Sequence, residues 1–171
     1  RRRTRPPPAH GRMARAAGVP TIVDVDRPGP GVEALLAEVD VLVVPASFAA
    51  AYTGQTTITA GLAALAARFR PAVVVATIGA AGSVALCHGL EIRTPAPAVP
   101  AKDTTGAGDA FRGGFVAGWL RFGPDADLHT LLEYANAVAA LNCAGVGAQT
   151  ALPGRERVDA LVTRTYRDQS K

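Results

Sequence analysis

The stretch 103-DTTGAGDAFRGG-114 places three small residues, Gly106-Ala107-Gly108, directly before an acidic residue, Asp109. The residues that follow predict a helix over 108–122, whose first turn is the glycine-rich one. Backbone N–H groups in such a turn lack intrahelical partners and lie at the positive end of the helix dipole, so the turn can bind an anion. A carboxylate at this position would repel a bound phosphate unless the carboxylate itself takes part in the chemistry.

Two other phosphate-binding motifs fit this stretch poorly. A dinucleotide-binding G-x-G-x-x-G would need a third glycine where Phe111 stands. No early strand with an acid about twenty residues further on accompanies the motif, as that fingerprint requires. A Walker A loop would need GK[ST] after the glycines, whereas Lys102 precedes them. An ordinary glycine-rich loop capped by Asp109 stays open as an interpretation. In the functional alternative, Asp109 takes the proton of a hydroxyl while the N–H groups stabilise charge on a transferring phosphoryl group.

The rest of the chain alternates apolar strands with helices. Residues 9–17 are typical of the end of a helix, closed by Gly18. The pattern then predicts strands over 21–26, 40–45 and 72–79, an antiparallel pair over 83–96 that turns at His88-Gly89-Leu90, and helices over 32–39, 56–69, 108–122, 128–144 and 154–167. Strand–helix–strand units of this kind predict an α/β domain with a mostly parallel sheet.

Composition and charge narrow the class of protein. The 171 residues are 49% hydrophobic and 19% charged, which fits a globular domain with a core. Six of the 18 basic residues fall within the first fifteen positions, and residues 16–171 carry 12 basic and 14 acidic groups, so no nucleic-acid partner is indicated. No apolar run predicts a membrane span, and the separated Cys87 and Cys143 indicate neither a disulfide nor a zinc site. A cytoplasmic protein is expected.

Three segments together resemble a known family. DTTGAGDAFRGGF resembles the C-terminal signature of the ribokinase-like, PfkB-type carbohydrate kinases. Residues 77-TIGAAG-82 resemble that family's TxGxxG strand and turn along the nucleotide, and 135-ANAVAALNCAGVGAQ-149 resembles its late helix and loop, which close the adenine pocket and hold a monovalent cation. The resemblance implies a three-layer α/β/α, Rossmann-like domain that uses ATP, Mg²⁺ and K⁺ to phosphorylate a sugar hydroxyl.

The resemblance also implies roles for individual residues. Asp109 would be the catalytic base, and Gly106, Ala107 and Gly108 would form the anion hole. The residues implied along the nucleotide are Thr77, Gly79, Gly82, Gly108 and Asn136. The residues implied around potassium are Asp103, Thr105, Asn142, Gly145 and Gly147. The implied partners are ATP and a small sugar or related alcohol, with no nucleic acid and no membrane.

The sequence departs from the family pattern in two places. The stretch 45-PASFAAAYTG-54 has no carboxylate where the family has an acid that organises magnesium. The family's N-terminal lid and first strands have no counterpart, so 14–171 are expected to be the C-terminal part of such a kinase and 1–13 a disordered Arg/Pro-rich leader. A sheet edge left open in this way favours association, including a homodimer. A truncated, non-catalytic nucleotide-binding or oligomerising fragment is the alternative function.

Overall fold

The computed structural model describes residues 9–123 and 125–168, so most of the expected leader lies outside the described residues. The first described element is a helix that begins at Ala9, earlier than the residue 14 at which we expected the folded part to start. Within the described part of the chain, no helix is both long and apolar enough to cross a bilayer.

The described residues contain seven α-helices and five strands. In chain order they are α1 Ala9–Ala16, β1 Ile22–Asp24, α2 Val32–Leu36, β2 Val41–Pro45, α3 Ala46–Thr53, α4 Ile58–Phe69, β3 Val73–Thr77, β4 Ser83–Cys87, β5 Leu90–Thr94, α5 Ala107–Phe122, α6 Leu128–Asn142 and α7 Arg155–Val162. A short 3₁₀ turn, Gly79–Ala81, follows β3, and a π-helical turn, Thr163–Arg167, follows α7. Every predicted strand and helix is present, most of them shortened by one to three residues at their ends.

The five strands form one mixed sheet in the order β1-β2-β3-β4-β5. The first three strands pair in parallel, with Val41 of β2 opposite Ile22 of β1 and Val73 of β3. The first four residues of β2 are buried, as are the central residues of β3, which explains why both strands are continuous apolar runs. The predicted α/β class is confirmed.

The strands β4 and β5 form a tight hairpin. Only two residues connect them, His88 and Gly89, and both have positive φ angles, of 49° and 81°. Positive φ at both central positions defines a type I′ turn, which matches the twist of antiparallel strands. The predicted pair is therefore present, with its turn at His88-Gly89.

Residues 46–53 form a helix, α3, that the sequence analysis did not predict. It begins directly after Pro45, the last residue of β2, and no side chain caps its first turn. Phe48 is buried, and its ring stacks on that of Tyr52 with centroids 5.5 Å apart. Because α3 has neither a loop before it nor a capping residue, the usual signals of a helix start are missing.

The described residues divide into two compact units, 9–77 with 84–92 and 78–83 with 93–123 and 125–168. In the first unit, the core consists of β2, β3 and side chains from α3 and α4, including Phe48, Leu62 and Leu65. In the second unit, α5 packs against α6. A Cβ added at Gly114 of α5 would lie 2.8 Å from Cβ of Val138 and 3.0 Å from Cα of Ala135, so only glycine permits this close approach.

Two neighbouring glycines of α5 provide a matched test of this packing. Gly114→Ala is expected to lower the free energy of unfolding by about 1–3 kcal/mol, because the added methyl group overpacks the contact with α6. Gly113→Ala, at an exposed position with open space around its Cα, is expected to raise it by about 0.5–1 kcal/mol, because alanine favours helix. Urea unfolding followed by circular dichroism measures both. Equal stabilisation by the two changes would contradict close packing at Gly114.

Candidate functional site

The first turn of α5 offers unpaired backbone donors. Gly106, the N-cap residue, has the left-handed angles φ 76° and ψ 5°, and no side chain caps the helix. The Ala107 N–H donates to the carbonyl of Thr104, and the Ala110 N–H closes the first helical bond onto Gly106. The N–H groups of Gly106, Gly108 and Asp109 have no acceptor among the described residues. This turn can therefore bind an anion with backbone donors at the positive end of the helix.

Gly106 also brings a second segment against this turn. A Cβ at Gly106 would lie 2.7 Å from the carbonyl oxygen of Ala148 and 2.9 Å from its Cα. Both this clash and the positive φ require glycine. The start of α5 is thereby held against the loop that follows α6.

Asp103 ties the two segments together through hydrogen bonds. Its Oδ1 accepts from the Thr105 N–H at 2.9 Å, and its Oδ2 accepts from the Gly147 N–H at 2.8 Å. Beside it, the Lys102 N–H donates to the Cys143 carbonyl at 2.8 Å. The two backbone donors, together with the Thr105 side chain, hold the pKa of the Asp103 carboxyl below its ordinary value.

Asn142, the last residue of α6, is fully buried beneath this loop. Its Nδ2 donates to the Ala148 carbonyl at 3.0 Å, whereas its Oδ1 has no hydrogen-bond partner among the described residues. An unpartnered buried oxygen is costly unless a bound ion or water satisfies it. The carbonyls of Gly145 and Gly147 likewise accept no hydrogen bond from the described residues. The end of α6 and this loop thus contain several hard oxygen donors, and the Gly147 N–H of the loop contacts the Asp103 carboxylate.

Asp109 lies in the first turn of α5 with its side chain 78% exposed. Its Oδ1 accepts a hydrogen bond from Nη2 of Arg112, one helical turn further on. The Arg112 side chain is only 23% exposed. An accessible carboxylate next to unpaired N–H groups can accept a proton from an approaching hydroxyl.

The predicted nucleotide residues form a second cluster. Gly82 has a φ of 96°, and a Cβ there would overlap the Thr94 carbonyl, so the backbone of the turn passes directly against β5. Gly79 also has a positive φ, and it begins the 3₁₀ turn. Asn136 of α6 is 3% exposed, and its Nδ2 donates to Ser83 Oγ at 2.9 Å and to the Thr94 carbonyl at 3.3 Å. Asn136 therefore joins this turn to β5 from the interior.

The predicted residues thus form two clusters, one around Asp103 and the loop after α6 and the other around the turn with Gly79 and Gly82. Contacts join Asp103 and Gly106 to the loop after α6, and α6 carries both Asn136 and Asn142. Thr77 ends β3 and belongs to the first compact unit, whereas all the other predicted site residues belong to the second.

Sequence reasoning missed the side chains that support these clusters. Glu133 of α6 is 1% exposed and accepts a hydrogen bond from Arg167 Nη1 at 3.0 Å. Tyr166, the preceding residue, donates its hydroxyl to the Pro95 carbonyl at 2.6 Å, and burial raises the pKa of that hydroxyl. No local motif signals these contacts, because their partners lie 34 and 71 residues apart in the chain. Arg112 was also missed, although its spacing of three residues from Asp109 predicts contact on a helix.

Most of the chain is similar in sequence to known carbohydrate kinases. Residues 10–155 match the family model described as pfkB family carbohydrate kinase. A fructokinase from Klebsiella pneumoniae is 41% identical over 107 residues, which make up 61% of this chain and 35% of that protein.

Solved structures match a larger part of the chain. Aminoimidazole riboside kinase from Salmonella enterica, in complex with aminoimidazole riboside and an ATP analog, superposes with a TM-score of 0.81 at 26% identity, over 90% of this chain and 56% of that one. A fructokinase double mutant from Vibrio cholerae O395, with fructose, ADP and potassium bound, gives a TM-score of 0.80 at 28% identity, over 90% and 54%. The predicted ribokinase-like fold is confirmed, and the chain spans about half the length of these solved relatives.

The lowered pKa of Asp103 predicts an acid-dependent loss of stability. Because the pKa in the folded state lies below that in the unfolded state, the stabilisation is fully present above the unfolded value of about 3.9 and is lost as pH falls through the folded value. Asp103→Asn is therefore expected to lose less stability than the wild-type chain between pH 7 and pH about 3. Urea midpoints across that range measure the difference.

Asp26→Asn is the control for the change in charge, since Asp26 is an exposed residue whose carboxylate meets Arg27. We expect its acid dependence to follow that of the wild-type chain. An Asp103→Asn variant that loses as much stability in acid as the wild-type chain would contradict the role of the two N–H donors.

Proposed function

Because the chain belongs to the pfkB family of carbohydrate kinases, we propose that it forms the nucleotide-binding, base-carrying part of an ATP-dependent kinase that phosphorylates a sugar hydroxyl. The observation that carries the proposal is the exposed carboxylate of Asp109 in a helix turn whose Gly108 and Asp109 N–H groups are unpaired. One turn therefore offers both a proton acceptor and donors for phosphoryl oxygens.

The proposed reaction is a direct in-line transfer. The acceptor O–H bond breaks as its proton passes to Asp109, and the oxygen attacks the γ-phosphorus of ATP. The bond from that phosphorus to the bridging oxygen breaks, and ADP leaves with the bond's electron pair. Asp109 later releases the proton to solvent. The backbone donors of Gly106, Gly108 and Asp109 stabilise the charge on the transferring group, while Ala107, whose N–H donates to Thr104, shapes the turn.

The acceptor is proposed to be a small sugar or a related alcohol. The matched proteins include fructokinases, a ribokinase and an aminoimidazole riboside kinase, whose names share a sugar or a riboside. Since this chain covers about half of the solved relatives, we expect phosphoryl transfer by these 171 residues alone to be slow.

The nucleotide is proposed to lie along the turn that contains Gly79 and Gly82, with Thr77 at the end of β3. Gly79 has a positive φ and open space where a Cβ would stand, which allows close approach of a ligand at that residue. Asn136 is proposed to hold this turn in place through its hydrogen bonds to Ser83 and the Thr94 carbonyl, and so to support the adenine side of the site.

A monovalent cation fits the loop after α6. Asn142 Oδ1 is a buried oxygen without a partner, and it lies in the segment that also supplies the carbonyls of Gly145 and Gly147. Asp103 and Thr105 complete the proposed potassium site. Carboxylate and carbonyl oxygens suit a hard cation, which would add positive charge behind the anion-binding turn.

The described residues offer less to Mg²⁺. They contain no group of three or more His, Cys, Asp or Glu side chains that could hold a metal, and α3 has no carboxylate. Mg²⁺ commonly keeps several waters and binds through substrate phosphates. We therefore propose that it enters with the nucleotide, and we assign it no ligand in this chain.

The first functional test is nucleotide binding by the 171-residue chain. Calorimetric titration with ATP, in the presence of Mg²⁺ and K⁺, is expected to show binding. Asp109→Asn is expected to bind ATP no more weakly than the wild-type chain, because it removes a negative charge beside the phosphates. The same change should reduce phosphosugar formation from ATP and fructose or ribose to the uncatalysed rate.

Two results would contradict the proposal. Absence of ATP binding would overturn the nucleotide site, and undiminished turnover in Asp109→Asn would remove Asp109 as the base. Binding without turnover in any acceptor assay would favour the alternative of a non-catalytic nucleotide-binding fragment.

The potassium proposal makes a separate prediction. ATP affinity is expected to be several-fold higher in KCl than in choline chloride of equal ionic strength, since the cation fixes the loop that holds Gly106. Asp103→Asn should abolish this difference while ATP still binds. Calorimetry in the two salts measures the effect, and an equal affinity in both salts for the wild-type chain would contradict the site.

A further inference from the structure

Arg112 lies in the same stretch as the three small residues Gly106-Ala107-Gly108, and its side chain contacts Asp109. It lies on α5 one turn after Asp109, and Nη2 contacts the Asp109 carboxylate. Its side chain is 23% exposed, whereas that of Asp109 is 78% exposed. The Arg112 side chain is thus the less exposed partner of this ion pair.

The guanidinium also lies close to Gly108 in the anion-binding turn. A Cβ built on Gly108 would be 3.7 Å from Arg112 Nη1. Gly108 carries one of the unpaired N–H groups of that turn. A positive charge therefore stands beside the donors that are proposed to receive the phosphoryl group.

We propose that Arg112 is a further phosphoryl-binding residue, which contacts the γ-phosphate of ATP together with the Gly108 and Asp109 N–H groups. This inference rests on the proposed function. An arginine presents five N–H donors in a planar fork, so one guanidinium can contact a carboxylate and a phosphate together. Arginine is also well suited to phosphate, since two of its N–H groups can bind two oxygens at once.

A second role for Arg112 makes a different prediction. If the guanidinium acts only by neutralising Asp109, its removal matters only while Asp109 is charged. If it contacts the phosphate itself, its removal weakens ATP binding even when residue 109 is neutral. A double-mutant cycle over Asp109 and Arg112 separates the two cases.

The experiment measures ATP and ADP affinity by calorimetry, with Mg²⁺ and K⁺, for four chains: wild type, Asp109→Asn, Arg112→Gln and the double variant. We expect Arg112→Gln to weaken ATP binding about tenfold in both backgrounds, the scale of one lost charged hydrogen bond. ADP, which lacks the γ-phosphate, should lose less than about threefold on the same scale. Should Arg112→Gln fail to fold, Arg112→Lys replaces it in both backgrounds, with a smaller loss in the same direction.

Arg121→Gln is the matched control. Arg121 also lies on α5, is 26% exposed and pairs with an aspartate, Asp159, but it is in the last turn of the helix. Its loss should leave ATP affinity unchanged within about twofold, which excludes an effect of net charge.

The outcomes separate the inference from the function on which it rests. If the wild-type chain binds no ATP, the proposed function and the inference both fall. If ATP binds but Arg112→Gln has no effect in the Asp109→Asn background, or if ATP and ADP lose equally, phosphate contact by Arg112 is overturned while the proposed function stands.

Discussion

The close contact of α5 with α6 at Gly114 is the constraint on which the candidate site depends. α5 begins with the turn that carries Gly108 and Asp109, and α6 contributes Asn136 near its middle and Asn142 at its end. A side chain at residue 114 would meet Val138 and Ala135, so it would separate the two helices. The glycine therefore sets the distance between the turn that carries Asp109 and the two asparagines of α6, which contact Ser83 and the loop after α6.

The second constraint is electrostatic, and it concerns the carboxylate at the start of α5. A negative side chain in the first turn interacts favourably with the positive end of the helix dipole, but it repels an incoming phosphate. The structure places the Arg112 guanidinium against that carboxylate, so the net charge of the turn is not that of Asp109 alone. A turn of this kind can carry a carboxylate and still attract an anion, since opposite charges in contact cancel most of each other's field at a distance.

Much of the fold and part of the site could be predicted from the sequence. The apolar strands and the glycine-rich start of α5 are local patterns, and both appear where expected. α3 was missed because it follows Pro45 without a loop or a cap. The burial of Asn136 could not be predicted, because a polar residue on an Ala-rich helix is as compatible with an exposed face as with the buried partners Ser83 and Thr94.

The contacts between the loop after α6 and the turn before α5 explain how the proposed cation could act on the phosphate without touching it. Asp103 receives the Gly147 N–H, and Gly106 lies against Ala148, so the loop after α6 and the turn before α5 are joined both by a hydrogen bond and by close packing of backbone atoms. Backbone atoms in such contact have little freedom to relax separately. An ion that ordered the oxygens of this loop would therefore also order the N–H groups of the turn. The cation would then contribute to anion binding through geometry as well as through charge, and a change at Asp103 would reach both.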